Sequence, residues 1–186
     1  DADVVVDDDA VRRVRATFDD PAVGSVYGSY DDAPDHRGYA SLYMNLRHHF
    51  GHRGRRDDVD TFWAGLGAIR RDVFDEVGGY DVDAFPYPSV EDIDLGRRLR
   101  AAGAKIRRDP EIRGKHLKRW TWWQVMHTDV MRRAAPWSRL MRQYPGAFRD
   151  LNVSHKEKFK ALLALAFVVS GPLAALGFAP LWAWLV

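Results

Sequence analysis

The chain has 186 residues, enough for a domain with a core of its own, and its 28 Lys and Arg against 26 Asp and Glu leave a net charge of +2 that points to no partner. It contains no Cys, which excludes disulfides and thiolate metal sites and fits a reducing compartment. Charge is unevenly spread: Asp crowds the first 35 residues, while Lys and Arg dominate from Arg97 to Lys160. That asymmetry suggests a cation near one end and phosphates or an anionic membrane surface near the other.

The opening "DADVVVDDDA" places two carboxylates, Asp1 and Asp3, one residue apart before Val4-Val5-Val6. The valines are too few to type alone and are compatible with a β-strand ending near Asp1–Asp3 whose start precedes this chain. Asp7, Asp8 and Asp9 read as a solvated turn and a helix cap. Residues 9–18 read as a helix with Val11, Val14 and Phe18 on one face. "GSVYGSY" (24–30) alternates weakly, as a strand does. Residues 38–50 carry Leu42, Leu46 and Phe50 at helical spacing, and 51–58 form a polar loop. His48, His49 and His52 with Arg53, Arg55 and Arg56 read as a solvated cluster able to meet an anion.

"TFWAGLGAIRR" (61–71) suggests a strand running into a Gly turn, followed by a short helix. "SVEDIDLGRRLRAAG" (89–103) has a Ser cap, acids in its first turn, Arg97, Arg98 and Arg100 toward its end and Gly103 as its stop. Residues 104–117 suggest strand, turn and strand. From Thr121, Trp123, Met126, Val130, Ala134, Trp137 and Met141 recur every three or four residues, with Pro136 dividing the stretch. Such an aromatic, basic segment suits a helix at a membrane interface. Ala161 to Val186 carries no charged side chain, which is long enough to cross a bilayer, with Ser170-Gly171-Pro172 interrupting the run. Lys156, Lys158 and Lys160 in front of it place that side in the cytoplasm. Both ends read as cut from a longer membrane protein.

Three features can carry chemistry. Asp-x-Asp suits a hard divalent cation such as Mg²⁺ or Mn²⁺ that keeps positions open for substrate phosphates. Glu91-Asp92 sits at a helix N-terminus, which keeps Asp92 ionised and able to accept a proton, whereas Asp94 points elsewhere and reads as structural. In "GKHLKRWTWW" (114–123), His116 can ligate a metal, Lys118 and Arg119 can neutralise phosphate, and Trp120 can stack on a ring.

In this order, Asp-x-Asp, "GLGAIRRDVFDEVGGYD", "SVEDIDLGRRLRAAGAKI" and "HLKRWT" resemble the second half of family 2 glycosyltransferases from Asp1 to about Trp120. The resemblance implies an α/β fold, the C-terminal part of a Rossmann-like GT-A nucleotide-sugar-binding domain over residues 1–120. An amphipathic interface segment (121–158) and truncated transmembrane helices (159–186) would follow. It implies that Asp1 and Asp3 meet the metal and the sugar nucleotide, that His116 is a further metal ligand, and that Gly65, Leu66 and Gly67 line the donor sugar and acceptor. Asp92 then matches the base of inverting members, with Glu91 beside it, while Lys118, Arg119 and Trp120 face donor or acceptor. His116 stands where processive synthases carry Gln or Arg, which favours single-sugar transfer over polymer extrusion.

The expected partners are a nucleotide-sugar donor, a lipid-linked or glycan acceptor and the cytoplasmic membrane. No nucleic acid is expected, since the Arg-rich stretches form no recognised module. Two alternatives are a haloacid-dehalogenase-like phosphatase, with Asp1 as nucleophile, and a non-catalytic membrane-anchored binding module.

Overall fold

The computed structural model describes residues 2–146, 159, 160, 162–168 and 170. Two compact units divide the chain, Asp1–Phe148 and Arg149–Val186. The first is mixed α/β, built on a curled five-stranded sheet.

At its centre β2 (Val23–Tyr30) runs parallel to β5 (Lys105–His116), and three short strands attach antiparallel. β1 (Val4–Val6) and β3 (Asp57–Val59) share one edge of β5, opposite residues 114–116 and 106–108, while β4 (Gly67–Ile69) closes the far edge of β2. All eight residues of β2 are buried. A strand covered on both faces loses the clean alternation of a half-solvated one, which explains why its sequence signal is weak. Helix α1 (Ala10–Thr17) packs Ala10 against Val26 and Ile112 on one side of the sheet. Helix α4 (Glu91–Ala101) packs Leu95 and Leu99 against Tyr27, Phe62 and Ile106 on the other.

Several expectations need correction. Residues 105–116 form one strand rather than two. Pro110, which lacks an N–H, falls where the register against β2 slips between Tyr27 and Ser29, so the strand bulges and continues. Gly28 belongs to the same irregularity, because a Cβ there would collide with the Ile112 carbonyl. Residues 61–71 run in the opposite order to that expected: a 3₁₀ turn (Ala64–Leu66) precedes β4, and α3 (Arg71–Glu76) follows. Of the expected apolar face of α1, Val14 and Phe18 pack against the Ala10, Val26 and Ile112 cluster, whereas Val11 is 61% exposed and the fully covered residues are Ala10 and Thr17. Asp9 precedes α1, but its carboxylate takes Arg12 and Arg13 at 3.1 and 2.6 Å rather than capping the helix. Val90, not Ser89, is the N-cap of α4, while Gly103 ends the turn beyond that helix at φ +85°.

Helix α2 (Tyr39–His52) overturns its apolar pattern most clearly. Phe50 is 62% exposed, and the helix buries Ser41, Asn45, His49 and His52 with Ala40 and Met44. The histidines lie in this helix, not in a solvated loop. Residues 122–143 are helical without a break: α5 (Trp122–His127), a π-helical stretch (Thr128–Ala134) and α6 (Ala135–Gln143). Pro136 therefore does not divide the run. It sits in the first turn of α6, and the carbonyl of Arg132, which residue 136 would bond in an α-helix, accepts the Ser89 hydroxyl at 2.8 Å. α5 opens with a reciprocal Thr121–Gln124 capping box.

In the second unit the described residues between 159 and 170 are helical. Among the described residues no helix is long and apolar enough to cross a membrane. The remainder of the expected span, and residues 147–158 of the expected interface segment, lie outside the described residues.

Candidate functional site

Strand pairing assembles the first part of the site. Val4 lies opposite His116, so Asp3 and His116 meet where β1 begins and β5 ends. The Leu117 N–H donates to the Asp3 carbonyl at 2.8 Å, and His116 Nε2 stands 3.7 Å from Asp3 Oδ2. The His116 ring is buried and stacks on Tyr30, with centroids 4.4 Å apart and planes 9° from parallel. Burial is the largest influence on His116 and holds its pKa below the ordinary histidine value, which leaves the ring neutral with a lone pair to donate. Two ligands of one octahedral ion at ~2.1 Å stand about 3 Å apart when adjacent and about 4.2 Å when opposite. The pair suits a divalent cation in donor type, while its 3.7 Å spacing matches neither value, so the two side chains would have to shift to share one ion. Asp1, the third expected donor, lies outside the described residues. Among the described residues no three such side chains converge.

An aromatic wall leads from this pair to the second carboxylate. Tyr30 meets Trp63 edge to face at 4.8 Å. Trp63 in turn stacks on His48 at 5.5 Å and contacts His52 at 4.2 Å. The next residue, Ala64, donates its N–H to Asp92 Oδ2 at 3.1 Å, and Ile93 donates to Asp92 Oδ1 at 2.8 Å. Asp92 is thus aimed by two backbone N–H groups. Desolvation, joined by the Glu91 charge, nevertheless pushes its pKa up to about 6, against the lowering by those hydrogen bonds and by Arg133. Enclosure outweighs the lowering expected of the helix N-terminus, yet a pKa of about 6 leaves the carboxylate mostly ionised at neutral pH and able to accept a proton.

Sequence reading missed the third part. Arg133, on the π-helical stretch, donates from Nη1 to Asp129 at 3.1 Å and from Nη2 to His48 Nε2 at 3.2 Å. Arg47 of α2 grips the same Asp129 with both terminal guanidinium nitrogens, Nη1 and Nη2, at 2.6 and 2.9 Å. His48, its pKa held well below the usual value by burial and then by Arg133, is the neutral acceptor this geometry needs. His52 is pushed down to about 3, chiefly by burial. The positive field of Arg133 reaches Asp92, Tyr30, His48 and His52, which places the cation within the site. Burial, then the Asp3 charge, holds the Tyr30 hydroxyl well above its ordinary pKa. The available signal was the polar face of α2, since helices rarely bury Ser, Asn and His together without a partner for them.

The other expected site residues have different surroundings. A Cβ at Gly65 would collide with the Trp63 ring, and one at Gly67 would come 2.6 Å from the Phe62 ring. Gly65 therefore makes room for the Trp63 ring of the wall, and Gly67 for the core ring of Phe62. Leu66 packs with the Ala10, Val26 and Ile112 cluster. Glu91 Oε2 accepts the Ser89 N–H at 2.6 Å, so it shapes the loop before α4 and acts on Asp92 through its charge. Trp120 packs beside Ala40, Met44 and Val125, and its ring carries the Lys118 ammonium at 4.4 Å. Lys118 and Arg119 are exposed. Asp94 is structural as expected: it is buried between Arg97 and Arg98, at 3.0 and 2.8 Å.

No protein-family model matches this sequence, and comparison with curated proteins gives no match either.

Proposed function

We propose that the protein is an inverting glycosyltransferase of the GT-A type, moving one sugar from a nucleotide sugar to a membrane-associated acceptor. The observation that carries this reading is the continuous wall Asp3–His116–Tyr30–Trp63, which ends at a backbone-held Asp92 with an elevated pKa. Diphosphate anchoring belongs at one end of that wall and proton transfer at the other. Tyr30 and Trp63 offer the ring surface against which the apolar face of a sugar can lie.

Asp92 takes the proton of an acceptor O–H group. Its pKa near 6 suits a base at neutral pH: it is mostly ionised, yet basic enough to share a proton in the transition state. The acceptor oxygen forms its bond to the anomeric carbon on the face opposite the nucleotide, and the bond from that carbon to the diphosphate oxygen breaks. Arg133, fixed by Asp129 and neutral His48, supplies positive charge toward the site. A divalent cation held by Asp3 and His116, with Asp1, would neutralise the departing diphosphate. Membrane association, and a cytoplasmic face for the site, rest on the apolar and basic sequence pattern alone.

The test is transfer from labelled UDP- and GDP-sugars by the full-length protein in membranes with Mn²⁺, compared with Asp92→Asn. Sugar incorporation that disappears in the variant supports the proposal. Equal turnover by the variant removes Asp92 as base, and release of inorganic phosphate from a simple ester without sugar transfer replaces the reading by a phosphatase.

A further inference from the structure

Ser89 stands where a helix cap is expected, yet its hydroxyl does not cap α4. Its N–H donates to Glu91 Oε2 at 2.6 Å, and its hydroxyl donates to the Arg132 carbonyl at 2.8 Å, 43 residues further along the chain. A Ser side chain that leaves a helix end to reach another segment serves the contact between the two segments, not the helix.

The carbonyl it takes is free for a reason written in the sequence. Pro136 has no N–H to offer Arg132, and the stretch before it is π-helical, with the Ala135 N–H bonded to the Val130 carbonyl five residues back. Such turns are rare and are found mostly at functional sites. His48 of α2, and Asp129 gripped by Arg47 of the same helix, hold the Arg133 guanidinium from one side. Ser89 holds the carbonyl of the residue before Arg133 from the other, beside the Arg132 guanidinium that stands over the Tyr87 ring at 5.0 Å.

Both bonds of Ser89 bear on Asp92, three residues on. Among the described residues, the titratable or charged side chains that act on Asp92 are Glu91 beside it on α4, Arg133 on the π-helical stretch and Tyr80 in the loop between α3 and α4. Burial, then the Asp92 and Glu91 charges, holds the Tyr80 hydroxyl above its ordinary pKa, so Tyr80 is neutral at physiological pH. The charges that remain are opposed: Glu91 favours the protonated form of Asp92 and Arg133 favours the carboxylate. Ser89 holds the first directly and the second through the Arg132 carbonyl.

We infer that Ser89 is a positioning residue, clamping the π-helical stretch to the start of α4 so that Arg133 and Glu91 keep fixed places beside the Asp92 carboxylate. The inference deepens the transferase reading, on which its catalytic meaning rests; the clamp itself is a property of the fold. Loss of the hydroxyl lets Arg133 move away, and Asp92, with less positive charge near it, holds its proton more tightly. Mere loosening of the loop does the opposite, because burial is the largest influence raising the proton affinity of Asp92 and entry of water lowers it. The sign of the change therefore separates a clamp from a residue that only supports the loop.

The experiment is an NMR titration of the Asp92 carboxyl carbon in the detergent-solubilised full-length protein carrying isotope-labelled aspartate, with the resonance assigned by its loss in Asp92→Asn. The parent is compared with Ser89→Ala, Ser89→Cys, Ser89→Thr, Arg133→Gln and the double variant Ser89→Ala/Arg133→Gln, and each sample is assayed for sugar transfer against pH. The midpoint should lie at about 6 in the parent and rise by about half a pH unit in Ser89→Ala, with a smaller rise in Ser89→Cys, whose thiol is a weaker donor. Ser89→Thr should restore the parent value, since Ser89 lines a cavity of about 410 Å³ with room for the added methyl group. Arg133→Gln should raise the midpoint at least as far as Ser89→Ala, and the double variant no further than Arg133→Gln alone. Where sugar transfer is present, the acid limb of kcat/KM should move with the midpoint. An unchanged or lowered midpoint in Ser89→Ala and Ser89→Cys, or a full further rise in the double variant, overturns the clamp whether or not sugar is transferred. The expected shifts in a protein that transfers no sugar uphold the clamp and overturn the transferase reading.

Discussion

Two carboxylates on the first turn of α4 stand two residues apart and live in opposite surroundings. Asp94 faces the scaffold, clamped by Arg97 and Arg98, while Arg98 also donates to the Val77 and Gly79 carbonyls at 2.7 and 2.6 Å. Asp92 faces the aromatic wall and is held only by backbone N–H groups, with Arg133 near enough to act through its field. The scaffold cluster matches buried charge with opposite charge at contact distance. The site cluster withholds that match, so the carboxylate keeps its proton affinity. A group that must exchange a proton is less stabilised by its surroundings than one that only holds the fold together.

This contrast can be broken experimentally. The largest effect is expected from Asp92→Asn, which should lower kcat/KM for sugar transfer by about 10²- to 10⁴-fold in steady-state assays. Folding raises the pKa of this carboxyl, so its favourable contribution to stability is present at low pH and is lost as pH rises through about 6. The variant should therefore show a thermal midpoint at pH 7 that is equal to or above the parent's. The same ionisation should give kcat/KM an acid limb near pH 6, rising with pH, and a profile flat between pH 5 and 7 would remove Asp92 from the rate expression. Asp94→Asn should do the reverse: urea unfolding should show a loss of about 3 kcal/mol, from two guanidinium groups left unpaired, with transfer by the folded fraction retained. Arg133→Gln should reduce kcat/KM by about 10- to 100-fold through loss of a charge-assisted contact, with a smaller change in unfolding free energy. Gly65→Ala should cost about 1–3 kcal/mol by forcing Trp63 aside, readable as a lower urea midpoint.

Part of this arrangement was legible in the chain alone. The approximate span of α4, its end near Gly103 and the structural role of Asp94 follow from the acids of its first turn, the placement of arginines and helical spacing, all of which are local. The strand at 24–30 and the pairing of Asp3 with His116 were readable in outline, the second only through the family resemblance. Leu42, Leu46 and Phe50 misdirected the reading of α2, because periodicity reports which face of a helix is apolar and not which face is covered. Here the covered face carries Ser41, Asn45, His49 and His52, and β2 supplies partners: the Tyr30 carbonyl meets His49 Nδ1 at 2.8 Å.

The chain by itself determined features that depend on neighbours a few residues away: the approximate span of α4, the left-handed turn at Gly103 and the acidic start of α4. Tertiary structure alone decided that 105–116 is one bulged strand, that Gly65 clears space for an indole, and that Arg133, 41 residues beyond Asp92, shares its site. Hydropathy and helix propensity belong to single residues and their neighbours. Burial, desolvation and proton affinity depend on which distant segments close over a group, and so they exist only once the chain has folded.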